Sequence, residues 1–366
     1  MIPMVDLNAQ FEEIRDEVMK EIEGVLQSSR YILGEKVRGL EERLALYHGV
    51  RAAIGVASGT DALNLSLKAL GLKEGDEVIT TPFSFFSTVE AILYQGAHPV
   101  FADIDPRTLN IDPVSIEEKI TPRTRAVLPV HLFGLPADMT RIREIADRHN
   151  LMIIEDCAQA FGATFGGQKV GSFGDTGCFS FYPSKNLGAY GDGGAIVTDN
   201  RDIEEEIRSL RNHGSSGGYI HEMIGMNSRL DEIQAAVLLV KLKRIDRYNE
   251  LRRQKARFYT GELSEYVLCP VEPQESLHVY HQYTIRTPER DRIRGALAKE
   301  GISSVVYYPL PLHLQKALRY LGLNESDFPV AEKASREVLS LPIYPEIEES
   351  SIERVCDTIK RLFAGN

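Results

Sequence analysis

From Arg51 to Asn200 short apolar runs alternate with stretches of helical periodicity, and this alternation limits the fold more than any other feature of the chain. RAAIGVAS reads as a strand, and GTDALNLSLKALG after it as a helix with a Gly-Thr-Asp entrance and a glycine at its exit. EVITTP, HPVFADI, AVLPVHL and LMIIED continue the series, most of them separated by helix-like segments such as Met139 to His149. Strands that alternate with helices predict an α/β fold with a largely parallel sheet covered on both faces.

Two helices are expected ahead of this region, over residues 7 to 27 (Phe11, Ile14, Val18, Ile22 and Val25 on one face) and 35 to 47. Behind AIVTDN come a helix from Asp202 to Asn212, the glycine-rich HGSSGGY, and one long helical pattern from Asp231 to about Arg257 that would bridge two domains. The strand candidates VYHQYTIR and SSVVYY, with helices near 291 to 300 and 350 to 363, predict a smaller α+β unit. A chain of 366 residues is long enough to divide. We place a large domain, with the N-terminal helices, at 1–240 and a small C-terminal α+β domain, with the linking helix, at 241–366.

A net charge of −11 argues against a general polyanion-binding surface and hence against nucleic acid as a partner. Cys157, Cys178, Cys269 and Cys356 are widely spaced and form no metal-ligand pattern, so reduced thiols and no metal are expected. The first twenty residues lack a basic segment followed by an apolar one, and no apolar run is long enough to span a bilayer. The expectation is a cytoplasmic protein with no membrane partner.

LMIIED ends in two carboxylates. In open α/β sheets ligands bind beyond the carboxyl ends of the strands, so Asp156 is in the expected place for a functional acid, although an acid there can equally cap the following turn. The next stretch, Phe179-Ser180-Phe181-Tyr182-Pro183-Ser184-Lys185-Asn186-Leu187-Gly188, sets a lysine in an apolar, glycine-rich turn with Asp192 as the only other charge between Asp175 and Asp199. Desolvation lowers an amine pKa toward the range where the neutral form acts as a nucleophile. A neutral amine can form an imine, which points to pyridoxal 5'-phosphate (PLP) chemistry and to Lys185.

PLP also needs its phosphate and ring held. Ser58-Gly59-Thr60-Asp61 sits at a strand-to-helix turn where free N–H groups and the helix dipole favour an anion, with ordinary capping by Thr60 as the alternative, and Ser180 could add a hydroxyl. Phe83, Phe85 and Phe86, after EVITT, leave room for one aromatic to lie against the ring while the others pack.

With these residues assembled, the chain resembles the DegT/DnrJ/EryC1/StrS family of nucleotide-sugar aminotransferases, which have PLP fold type I, the aspartate aminotransferase-like fold. The resemblance runs nearly end to end: VDL, YILG, ASGTDAL, GDEVITTPFSF, ADIDP, EDCAQAFGA, SFYPSKNLGAYGDGGAIVT, RNHG, GMNSRLDEIQAAVL, VYYPLPLHLQ and LSLPIYP.

It implies roles residue by residue. Lys185 takes the position that forms the Schiff base and then shuttles a proton between cofactor and substrate carbons. Asp156 matches the acid that pairs with the pyridine nitrogen, Gln159 the contact to the ring or its phenolic oxygen, and Phe85 the stacking aromatic. Gly59, Thr60 and Ser180 match the phosphate cup. Asn227 matches an asparagine that reaches the phosphate from a partner subunit, which implies a homodimer with shared active sites.

The implied reaction is a ping-pong exchange in which L-glutamate aminates the cofactor and the cofactor then aminates a nucleotide-linked ketosugar. The segment from Tyr307 to Gln315, YYPLPLHLQ, resembles the one in members that act at C3, with His313 in the pattern and Tyr308 where many relatives have histidine. C3 is therefore expected over C4, on a UDP-linked 3-keto uronate or a dTDP-linked 3-keto-6-deoxy sugar. Arg229 stands either for a contact to a sugar carboxylate or for a structural salt bridge at the dimer interface, the more ordinary role. A sugar dehydratase of this fold would carry histidine at position 185. A regulatory protein that binds PLP or a sugar nucleotide without turnover is the alternative of a different class.

Overall fold

The computed structural model describes residues 1–217 and 219–363. Its centre is a seven-stranded sheet: β1 Ala52–Val56, β2 Glu77–Thr80, β3 His98–Phe101, β4 Thr124–Leu128, β5 Met152–Asp156, β6 Thr176–Ser180 and β7 Gly194–Thr198, in the order β1-β7-β6-β5-β4-β2-β3. From β6 across to β3 every neighbouring pair is parallel, whereas β7 runs antiparallel to both β6 and β1. The sheet is largely parallel, as the alternation predicts, with one reversed strand near an edge. Every residue of β1 and β7 is buried, which is why these strands read as near-continuous apolar runs rather than as alternating ones.

Two cores sandwich the sheet. One packs Leu63, Leu67, Ile92 and Ile207 against Ile54, Ile154 and Ile196; the other packs Leu40, Leu44 and Leu238 against Ala53, Phe179 and Val197. The residues on the two faces alternate along each strand, as the pleat requires. A further core joins Tyr259, Tyr283, Ile293, Leu339 and Ile359 of the C-terminal part, and Ile2 belongs to it through a parallel bridge to Ile302.

The N-terminal helices, Leu7–Ser28 and Glu35–His48, appear within a residue of the expected ranges. The long helix does not. It is divided into Glu232–Leu242 and Ile245–Leu263, with Arg244 at φ −116 and ψ −4 between them. No glycine or proline marks the break; Arg244 turns to donate to Val240 O at 3.2 Å and to pair with Glu17 of the first helix. VYHQYTIR yields a strand only over Tyr283–Arg286, because Tyr280 takes φ +45, and SSVVYY is reduced to one bridge between Val305 and Ser340. No described helix is long and apolar enough to cross a membrane.

Candidate active site

The carboxyl ends of β1, β2, β5 and β6 open on a cavity of about 460 Å³, lined by residues that include Ser58, Gly59, Thr60, Phe85, Asp156, Gln159, Ser180, Lys185, His281, Gln282, Tyr307 and Tyr308. Lys185 follows β6 in a turn tied by Lys185 N to Tyr182 O and Ala189 N to Phe181 O, both 2.8 Å. Asn186 beside it is anchored to Asn249 Oδ1 and Val279 O at 2.8 and 3.0 Å. Burial pushes the Lys185 amine down to about 8, against the opposing pull of the Asp156 charge.

Of the two acids that close β5, the pleat sends one to each face. Glu155 turns away from the cavity, where its carboxylate accepts from the backbone N–H of Gly171, Phe173 and Gly174 at 2.7 to 2.9 Å and meets His131 Nε2 at 3.0 Å. Asp156 faces the cavity. Its Oδ1 accepts from Ala158 N at 3.1 Å and its Oδ2 from the Thr88 hydroxyl at 2.8 Å, and Thr88 in turn meets Ser84 Oγ at 2.9 Å. Burial raises the Asp156 carboxyl, while Thr88, Ala158 and Lys185 act in the opposite direction.

Gln159 is fixed at both ends of its amide. Phe133 N donates to Oε1 at 2.8 Å, so Nε2 is the donor that reaches Tyr308 OH at 3.0 Å. Tyr308, whose hydroxyl is held neutral by burial, closes the cavity from the C-terminal side.

The three phenylalanines separate as their surroundings require. Phe83 is fully buried against Tyr308, Phe86 packs beside the same core, and Phe85 is 58% exposed with its side chain on the cavity. At the strand-to-helix turn the cap is Ser58, not Thr60: its Oγ accepts from Asp61 N at 3.1 Å, and the helix Gly59–Ala69 begins behind it. Thr60 therefore lies inside the first turn, with its hydroxyl released from capping. A Cβ on Gly59 would stand 2.6 Å from Ser180 Cβ, so only glycine lets the helix N-terminus close on the end of β6. The result is a cradle of Gly59, Thr60 and Ser180 suited to a phosphate.

Three expected residues lie elsewhere. His313 is buried, with Nε2 3.3 Å from Glu332 and its ring against Phe328, so the cavity wall does not include it. The turn Leu312–Leu314 directs the ring into the core next to Phe328, away from this chain's own cavity. Asn227 is exposed and Arg229 half-buried, and neither lines this chain's own cavity. Arg229 donates to Asn212 Oδ1 at 3.0 Å and, among the described residues, forms no ion pair. Thr88 and His281, by contrast, belong to the site's geometry without having been singled out in the sequence. Thr88 sits one helical turn beyond Ser84 in the PFSFFST segment and His281 in VYHQYTIR, and both are recognisable only once distant segments are brought together.

The profile of the DegT/DnrJ/EryC1/StrS aminotransferase family matches residues 12–360. The chain belongs to this family. This aminotransferase is 49% identical over 365 residues to the UDP-N-acetyl-3-dehydro-alpha-D-glucosamine 3-aminotransferase of Acidithiobacillus ferrooxidans, covering 100% of this chain and 98% of that protein. It is 48% identical to a Geobacillus stearothermophilus protein named pleiotropic regulatory protein, covering 99% and 98%. Among solved structures, Streptomyces venezuelae DesV in complex with a ketimine intermediate superposes with a TM-score of 0.97 at 44% identity, covering 99% of this chain and 98% of that one. The Bacillus subtilis ntda structure with bound cofactor PMP superposes with a TM-score of 0.91 at 34% identity, covering 98% and 84%. The fold is that of the PLP enzymes of type I, and PLP is the cofactor of this aminotransferase; the desolvated lysine, the cavity-facing acid and the glycine-lined anion cradle fit it.

Proposed function

We propose that this enzyme transfers an amino group from L-glutamate to C3 of a nucleotide-linked ketosugar, working in the cytoplasm as a homodimer with shared active sites. The single observation that carries the reading is Lys185, a desolvated amine on a cavity that it shares with the hydrogen-bonded carboxylate of Asp156. PLP supplies the electron sink when bound. Lys185 is the amine that anchors the cofactor and, once released, carries a proton between the reacting carbons. Asp156 keeps the ring nitrogen protonated, Gln159 holds the ring oxygen, Phe85 lies on the ring face, and Gly59, Thr60 and Ser180 hold the phosphate.

The dimer is supported by charge. Lys185 is the only cation among the described residues that line the cavity, against Asp156 and Asp192, while the cofactor phosphate, the donor's two carboxylates and a nucleoside diphosphate are all anionic. Asn227 and Arg229, away from their own cavity, serve the partner's in this reading. The names of the similar proteins, with a UDP-sugar 3-aminotransferase at 49% identity and the dTDP-3-amino-3,4,6-trideoxy-alpha-D-glucose transaminase of Streptomyces venezuelae at 44%, support C3 and a UDP- or dTDP-linked substrate.

Mixing the PLP-loaded enzyme with L-glutamate tests the reading. The visible absorbance of the lysine-bound cofactor should give way to that of pyridoxamine phosphate, and a UDP- or dTDP-linked 3-ketosugar should restore it. The name of the Geobacillus relative favours a regulatory protein as the second reading. Absence of any spectral change with amino acid donors would support it.

A further inference from the structure

His281 lines the cavity yet is 7% exposed, and its Nδ1 is buried without a hydrogen-bond partner among the described residues. Buried polar atoms in folded proteins are paired as a rule, and with Nδ1 enclosed and unpaired the ring's remaining bonding capacity lies with Nε2, the nitrogen through which this cavity-lining side chain can meet a ligand.

The backbone around it is held in an uncommon conformation. Phe133 and Tyr280, both aromatic, take φ of 58 and 45, and Gly134, which follows Phe133, takes φ 99. Val279 N donates to Gly134 O at 3.0 Å and Gln282 N to Phe133 O at 3.3 Å, so the two segments grip each other on either side of His281. A Cβ on Gly134 would stand 3.0 Å from His281 N and 2.9 Å from Val279 Cγ2. Left-handed aromatic residues persist only where their surroundings impose them, and they gather at functional sites. Here the outcome of the grip is the placement of His281 and Gln282 on the cavity.

Burial, together with Lys185 and Arg252 nearby, pushes His281 well below its ordinary range, so the ring is neutral at pH 7. A neutral imidazole offers one N–H donor and one lone pair. The free carboxylates of glutamate and the phosphate of the cofactor are acceptors only and leave that lone pair unused. A sugar hydroxyl both gives and takes a hydrogen bond and so can pair with the cavity-side ring nitrogen whether that nitrogen carries the proton or the lone pair.

We infer that His281 binds a ring hydroxyl of the ketosugar and is a specificity-determining residue for the second half-reaction, with no part in the reaction of glutamate. The inference rests on the aminotransferase reading above.

The test measures the two half-reactions separately in the PLP-loaded enzyme. Single-turnover absorbance follows L-glutamate with the pyridoxal form, then the UDP- or dTDP-linked 3-ketosugar accepted by the wild type with the pyridoxamine form. His281→Phe, which keeps an aromatic ring and removes both nitrogens, should leave the glutamate step within twofold of wild type and raise the ketosugar concentration for half-maximal rate at least tenfold. His281→Asn, which retains a donor and an acceptor, should lose less. A glutamate step impaired as much as the sugar step, or a sugar step unchanged in His281→Phe, overturns the inference. Should His281→Phe not fold, a threefold or greater effect of His281→Asn on the sugar step alone supports it, and no effect overturns it. A wild type that does not react with glutamate at all defeats the aminotransferase reading instead.

Discussion

The Thr88 hydroxyl donates to Asp156 Oδ2 at 2.8 Å, and this bond couples the first turn of the helix Ser87–Tyr94 to the acid at the end of β5. Burial drives the Asp156 carboxyl up, and Thr88 is the foremost of the groups that hold it down. Thr88→Val therefore removes a bond to a charged group, with a cost of about 1.5–3 kcal/mol. The acidic limb of the kcat/KM profile should move to higher pH, so that the loss in kcat/KM is greatest on the acidic side. An unmoved acidic limb in steady-state assays would show that Thr88 does not tune Asp156.

Asp156→Asn removes the charge but keeps the shape. Transamination should fall by on the order of 10²-fold or more, the scale of losing one preorganised electrostatic partner of the reacting group. Single-turnover rates with L-glutamate check it, and a loss below about threefold would contradict the role given to this acid.

Lys185 Nζ reacts only when neutral. Its pKa lies at about 8, below the ordinary lysine value near 10.4, so the neutral fraction of the cofactor-free protein grows as pH rises through about 8 and levels above it. Stopped-flow capture of added PLP should follow that curve. Because the Asp156 charge raises the Lys185 pKa, Asp156→Asn should move the midpoint to lower pH. A midpoint near 10, or a shift to higher pH in the variant, contradicts the desolvated amine.

Gly59→Ala places a methyl group 2.6 Å from Ser180 Cβ. Overpacking of this kind costs about 1–3 kcal/mol, and the displaced helix N-terminus should weaken PLP binding by about tenfold or more. Gly59→Ala with Ser180→Gly removes the clash and should recover most of the loss in thermal stability, as measured by Tm. Equal destabilisation in single and double variants would place the strain elsewhere.

Lys185, Asp156 and the Ser58–Thr60 turn were legible because local sequence carries them: a lone cation in an apolar loop, an acid at a strand end, small residues at a helix entrance. Strand alternation likewise gave the sheet, since both-face burial makes each strand a short apolar run. Other features depend on distant partners. Ser58 rather than Thr60 caps the helix, and only the closure of Gly59 on Ser180 shows why. The break at Arg244 has no glycine or proline and depends on Glu17, more than two hundred residues away in the sequence. His313 fits a substrate motif but is turned into the core by Phe328 and Glu332. His281 reaches the cavity through Phe133, Gly134 and Tyr280, whose positive φ values no local pattern announces.

Lys185 is the reacting amine in this mechanism, and Lys185→Ala in the half-reaction with L-glutamate is the sharpest test of that role. The variant should melt within a few degrees of the wild type and bind PLP without reacting covalently. Conversion to pyridoxamine phosphate on adding glutamate should drop below detection. Conversion at a rate near that of the wild type would contradict the account.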